Sequence, residues 1–221
     1  MQIIGITGGI GSGKSTIARA LAARGYAVYD CDKEAKRIIA ENKDVQQKII
    51  NLFGEKSFVN GVYNTQYISK CVFSPSLQGR SGEALLAQLN AIIHPAVKED
   101  ICQQALPAIC QQSGLYSVSA AVYQAKPVLF IESAILYEAG LDSLCDKIIV
   151  VKAPEDIRIA RTIARDYHGD ASPENINKVR ARIRAQEARR FQPSDISCQL
   201  VVQNDGKASI DELVADILQN L

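Results

Sequence analysis

Short apolar runs alternate along the chain with longer stretches whose apolar positions recur at helical spacing. Gln2–Thr7 is rich in β-branched residues and bounded by glycine, the pattern of a buried strand. Ser15–Arg24 carries Ile17, Ala18, Leu21 and Ala22 on one helical face and stops at Gly25. Tyr26–Tyr29 predicts a second strand, which ends at Asp30-Cys31-Asp32; Lys33–Glu41 and Asp44–Phe53 then read as helices. Val128–Ile131, ending in Glu132, predicts a third strand and Lys147–Lys152 a fourth. Pro154–Asp166 predicts a helix with Pro154 and Glu155 in its first turn, where a missing N–H and a negative charge suit the dipole. Ser172-Pro173-Glu174 opens another helix running to about Arg190, Leu200–Gln203 is a fifth strand, and Ser209–Leu218 closes the chain as a helix. Strands alternating with helices predict an α/β fold: a five-stranded parallel sheet covered on both faces.

The middle breaks this rhythm. Asn60–Gly61 is a turn signal, and helical segments follow near Thr65–Phe73, Gly82–Ile93 and Ala96–Gln112. With no convincing strand between 44 and 112, this stretch reads as a helical insertion hung on one domain spanning 1–221.

Composition narrows the class. The 221 residues are 47% hydrophobic, enough for a sizeable core. With 25 basic and 24 acidic residues the net charge is +1, so charge gives no reason to expect a nucleic-acid or membrane surface. The six cysteines show no C-x-x-C spacing, which suits reduced thiols, and Met1–Ile6 is too short for a signal peptide before the glycines begin. Without a bilayer-length apolar run, a cytoplasmic protein, monomeric by default, is the expectation.

Candidate chemistry begins at the first strand's end. Gly8-Gly9-Ile10-Gly11-Ser12-Gly13-Lys14-Ser15 fits G-x-x-x-x-G-K-[ST] between a predicted strand and a predicted helix. The glycines let successive amides face one point, and the starting helix adds its positive dipole end, making an anion cradle. Lys14 is placed to reach β- and γ-phosphates, Ser15 to join a Mg²⁺ shell, Glu132 at the end of the third strand to hold a water on that Mg²⁺, and Thr16 to begin the helix. The pattern specifies a nucleoside triphosphate without specifying the reaction.

Asp30 and Asp32 close the second strand at the edge that carries the phosphate loop. Asp32 is therefore either a base for an acceptor hydroxyl or a cap on the helix from Lys33 to Ala40. Arg158, Arg161 and Arg165 recur at i, i+3 and i+7, leading into Tyr167-His168-Gly169-Asp170. Such a stripe suits a lid, spanning about 158–190, that neutralises charge on transferring phosphate; Arg161 and Arg165 read as functional and Arg158 as solvated surface. Among the crowded arginines of the next helix, Arg182 with Gln186 forms the pair expected to face the site. His94, just before Pro95, is expected at a helix end.

Taken together, the phosphate loop, Asp30-Cys31-Asp32, Leu89-Asn90-x-x-x-His94-Pro95, Arg161-x-x-x-Arg165-Asp166, Arg182-Ile183-x-x-Gln186 and Asn204-Asp205-Gly206 resemble the dephospho-CoA kinase family over almost the whole chain. The resemblance implies a sheet of order 2-3-1-4-5 with a helical CoA domain and a lid. It implies transfer of the γ-phosphate of ATP, with Mg²⁺, to the ribose 3′-hydroxyl of dephospho-CoA. It makes Asp32 the base, Lys14 and Arg161 catalytic, and Gly9, Ile10, Gly11, Ser12, Gly13, Lys14, Ser15, Thr16 and Arg165 the nucleotide-binding set. Asn90, His94 and Glu138 fall on the acceptor side. The family often has Pro-Leu-Leu-hydrophobic-Glu after the third strand, whereas Ala134–Glu138 here begins with alanine. The stretches 74–83 and 114–124 read as longer surface loops. Two other readings share the loop: a kinase for nucleosides or sugars, which would differ in its acceptor residues, and a slow NTPase switch, which the D-x-D pair and the arginines disfavour.

Overall fold

The apolar run at the start of the chain becomes the middle of a parallel sheet, because its residues are buried from both sides. The computed structural model describes residues 2–73, 81–105, 128–189 and 199–221. It divides into two compact units, Met1–Asp30 with Ala108–Leu221, and Cys31–Pro107.

In the first unit, β1 (Gln2–Gly8) lies between β5 (Val128–Glu132) and β6 (Lys147–Lys152); β2 (Ala27–Asp30) flanks β5 and β7 (Gln199–Gln203) flanks β6. All pairings are parallel, and in order of appearance within this sheet the five strands stand 2-3-1-4-5, as expected. Helices cover both faces. Ile4 and Ile6 of β1, with Phe130, Ile149 and Val151, pack against Ile17 and Leu21 of α1 (Lys14–Ala23) and against Val214 and Ile217 of α8 (Ile210–Gln219). Ser209 caps α8 in a reciprocal capping box with Glu212. On α6 (Glu155–Asp166) and α7 (Pro173–Arg189), Ile159, Ile163, Val179 and Ile183 form a second small core, and Ile10 of the phosphate loop packs against it. Pro154 stands at the N-cap of α6, one residue outside the predicted first turn.

The second unit is mostly helical: α2 (Cys31–Glu41), α3 (Lys43–Phe53), α4 (Thr65–Val72) and α5 (Gly82–Asp100), which ends in a π turn at Ile101–Ala105. Asn42 and Asn64 cap α3 and α4 with their side-chain oxygens. The Arg37 guanidinium reaches both oxygens of the buried Asp100 carboxylate at 2.8 Å, tying α2 to α5.

Three expectations fail here. The middle is not free of strands: β3 (Phe58–Val59) and β4 (Val62–Tyr63) form a hairpin around Asn60–Gly61, both with positive φ, as a tight primed turn demands. Two residues per strand are too few to show a period. The predicted break between Ile93 and Ala96 does not exist, since α5 runs through Pro95 and His94 sits inside a helix. Proline there removes one backbone bond, but the buried face of Leu85, Leu89 and Val97 continues across it, and burial outweighs the local cost. Finally, α2 begins at Cys31 with no intervening loop, so Asp32 lies in its first turn rather than at the cap. Of the expected loop 74–83, Gly82 and Glu83 instead open α5 behind the Ser81 cap, while 74–80, the expected loop 114–124 and the end of the predicted helix Ala96–Gln112 lie outside the described residues.

Candidate active site

Because β1 must end where the chain turns into α1, the glycines between them have specific duties. Gly11 and Gly13 have φ of 75° and 93°, and Gly13 stands as the left-handed N-cap of α1. A Cβ on Gly11 would run into the Arg158 backbone and one on Gly13 into the Asn204 amide. Gly13 offers no side chain to cap the helix; its carbonyl takes the Thr16 and Ile17 amides, and the Lys14 and Ser15 amides ahead of them suit an external anion.

Lys14, the first residue of α1, places its ammonium 3.4 Å from Glu132 Oε1, and the Ser15 hydroxyl donates to the same oxygen at 3.3 Å. Glu132 is 3% exposed and ends β5 beside β1, its register partner being Ile6. A lysine, a hydroxyl and a buried carboxylate thus meet at the mouth of the cradle. Both oxygens are hard ligands of the kind Mg²⁺ takes. Thr16 is exposed, and its hydroxyl accepts from Arg19 Nη2 at 3.3 Å. Sequence reading passed over Arg19, whose (i, i+3) spacing from Thr16 is the signal that would have found it.

The arginine stripe splits into three roles. Arg161 donates to the Ser12 carbonyl (3.3 Å), to the Asn204 carbonyl (3.1 Å) and to Asn204 Oδ1 (3.0 Å), which holds its guanidinium against the loop. Arg165 is exposed and bonded to its neighbour Asp166, which raises the arginine's pKa. The same bond, helped by Arg182 across from α7, holds the Asp166 carboxyl down at about 2. Arg158 overturns the solvated-surface reading. It is buried, donates through Nε to the Ile10 carbonyl (2.9 Å) and pairs with Glu187. Opposite it, Gln186 Oε1 accepts from the Ile10 amide at 2.7 Å. Ile10 is thus gripped at both backbone groups by α6 and α7 while its side chain enters their core. Of the pair expected to face the site, Gln186 touches the phosphate loop and Arg182 bonds Asp166 instead. Spacing placed Arg158 on the same stripe as Arg161; only tertiary packing reveals that it lies underneath the loop.

Truncating Arg158 to alanine leaves the Ile10 carbonyl without its donor, and is expected to cost about 1–3 kcal/mol of stability. Arg165→Ala removes an exposed pair and should cost about 0–1 kcal/mol. Urea denaturation of both variants checks this order, and equal small losses would return Arg158 to the surface.

Among the remaining sequence candidates, Glu138 lies exposed in the turn after β5. In the second unit, Asp32 is exposed in the first turn of α2. Asn90 and His94 stand one turn apart on α5, both partly buried, and burial lowers the His94 pKa. A lowered histidine pKa leaves a neutral imidazole at pH 7, suited to hydrogen bonding rather than to pairing with phosphate.

A family model described as dephospho-CoA kinase matches residues 2–209. The chain belongs to the dephospho-CoA kinase family. A dephospho-CoA kinase of Porphyromonas gingivalis is 41% identical over 166 residues, covering 75% of this chain and 71% of the relative. One of Bacteroides fragilis is 33% identical over 225 residues, covering 99% and 94%. Among solved structures, a protein of Thermus thermophilus superposes with a TM-score of 0.65 at 28% identity, over 99% of this chain and 95% of that one. A dephospho-CoA kinase of Campylobacter jejuni shares the fold, with a TM-score of 0.61 at 21% identity, over 100% of this chain and 97% of that one. Membership gives the loop and its arginines a reaction to serve. It makes this chain a kinase, with ATP as phosphate donor and dephospho-CoA as the family's acceptor. Among the described residues, no helix is long and apolar enough to cross a membrane.

Proposed function

We infer that this chain phosphorylates the ribose 3′-hydroxyl of dephospho-CoA with ATP, releasing CoA and ADP, the last step of CoA synthesis. The observation that carries the reading is the meeting of Lys14, Ser15 and buried Glu132 at a phosphate loop rimmed by Arg161, in a chain that the family model matches from 2 to 209.

In this reading the loop from Gly9 to Thr16 and the Lys14 ammonium hold the ATP phosphates; the Ile10, Ser12 and Thr16 amides are already bonded to Gln186 and to the Gly9 and Gly13 carbonyls, so the loop serves through its other amides. The Ser15 hydroxyl and Glu132 would hold Mg²⁺, which would supply positive charge to offset that of the phosphates. Arg161, whose guanidinium stands against the loop at the Ser12 carbonyl, turns to the γ-phosphoryl group and balances charge as the bond to the leaving oxygen loosens. Arg165, bonded to Asp166, joins the nucleotide from the outer end of α6. Asp32 orients the acceptor hydroxyl and takes its proton. Because the transition state is loose, alignment of hydroxyl and phosphorus contributes more than proton removal. Residues 44–112 form the acceptor-binding insertion, with Asn90 and His94 on the acceptor together with Glu138, and 158–190 form the lid. The grip on Ile10 confines lid motion to the outer part, Arg165–Asp170, because the base of the hairpin is tied to the loop.

An ADP-release assay over a panel of acceptors tests the assignment. Dephospho-CoA should be turned over far faster than adenosine, other nucleosides or sugars. A preference for a nucleoside or a sugar would keep the kinase and discard the acceptor.

A further inference from the structure

We propose that Asn204 is a positioning residue of this kinase, one that fixes both the Arg161 guanidinium and the Ser12–Gly13 peptide of the phosphate loop before nucleotide arrives. The proposal rests on the reading of that loop as the ATP site.

Asn204 is the first residue beyond β7 and is 2% exposed. Its polar groups are engaged on three elements. Its amide donates to the Lys152 carbonyl at the end of β6 (2.8 Å). Its carbonyl and its Oδ1 accept from Arg161 of α6 (3.1 and 3.0 Å). Its Nδ2 donates to the Ser12 carbonyl of the loop (2.9 Å). A side chain with one acceptor and one donor at fixed separation is needed to serve Arg161 and Ser12 at once, and a carboxamide is such a group.

The bond to Ser12 has a consequence on the other side of the peptide. In a planar trans peptide the C=O and the following N–H point in opposite directions. Drawing the Ser12 carbonyl toward Asn204 therefore turns the Gly13 amide away from it, toward the concave side where the helix start gathers its donors. Gly13 itself is obliged to lack a Cβ because the Asn204 amide nitrogen occupies that space. The same residue that aims this amide thus also holds the arginine proposed to meet the γ-phosphoryl group. Arg161 is organised through Asn204, whereas Arg165, among the described residues, is tied to its neighbour Asp166 on α6.

The test compares Asn204→Asp with Asn204→Ala. Aspartate keeps the volume and the acceptor for Arg161, but puts a second oxygen opposite the Ser12 carbonyl and a negative charge beside the phosphates. Alanine removes both bonds, yet leaves Ser12 its bond from Arg161. If Asn204 positions the loop, Asn204→Asp should bind MgATP, measured by calorimetry, about tenfold to a hundredfold more weakly than the parent. Asn204→Ala should lose less, and affinity for dephospho-CoA should hold in both. If Asn204 merely fills space, a folded Asn204→Ala protein should keep parental MgATP affinity, and any weakening in Asn204→Asp should fade with added salt, as a bare charge effect does. In kcat, Asn204→Ala should cost less in the Arg161→Ala background than in the parent, since the part of its loss that runs through the guanidinium is already gone there. Losses that multiply would overturn the proposal, as would parental MgATP affinity in a folded Asn204→Asp protein. Asn204→Ser serves as the small variant should Asn204→Ala melt too low to assay. A parent protein that bound no MgATP would remove the nucleotide site and this proposal together; a parent that bound it, with unaltered variants, would remove this proposal alone.

Discussion

Lys14→Ala is expected to lower turnover by on the order of a thousandfold or more, the scale on which loss of one preorganised charge at a transferring group is felt. The structure adds a second expected effect. Lys14 is the cation beside Glu132, a carboxylate that is 3% exposed. Removing one partner of a buried pair costs more than the pair contributes, because the remaining charge keeps its desolvation with less to offset it, the Ser15 hydroxyl remaining among its partners. The variant should therefore melt below the parent as well as fail to turn over. Adding Glu132→Gln separates the two losses: an amide carries no charge to strand, so the double variant should recover melting temperature but not activity. Near-parental turnover in Lys14→Ala would remove the loop from the chemistry.

Asp32→Asn is expected to lower kcat with dephospho-CoA by about two to four powers of ten, the range of a positioned acid–base group. MgATP affinity should hardly change, because the partner of this carboxylate is the acceptor hydroxyl. The alternative is an acid serving the dipole in the first turn of α2, where it contributes about 0.3–1 kcal/mol of stability and nothing to catalysis. Steady-state kinetics beside a thermal melt distinguish them: a small fall in melting temperature with parental kcat would leave Asp32 only the structural role.

The sheet was legible in the sequence because each buried strand is a short apolar run punctuated by glycine, proline or charge, and parallel strands buried on both faces need no alternation to be recognised. The phosphate loop was legible because its glycines, lysine and hydroxyl are local in sequence. What escaped was set by tertiary contact. Arg158 and Arg161 are three residues apart on one helix and look alike, yet one lies beneath the loop gripping Ile10 and the other rims it through Asn204. Nothing in an i, i+3 spacing tells which arginine will meet a backbone carbonyl supplied from 148 residues away. Pro95 misled for the opposite reason: the local rule against proline inside a helix is sound, but the buried stripe of α5 overrides it. Glu132 stood at the end of a predicted strand, and its neighbours Lys14 and Ser15 became evident only when β5 settled beside β1.

The most direct test of the acceptor assignment is identification of the product formed by the parent protein from MgATP and dephospho-CoA. Mass spectrometry with phosphorus NMR should show CoA, bearing one new phosphomonoester on the ribose 3′-oxygen, in one-to-one amount with ADP. ADP release with dephospho-CoA recovered unchanged, or phosphate on any other oxygen, would contradict the account.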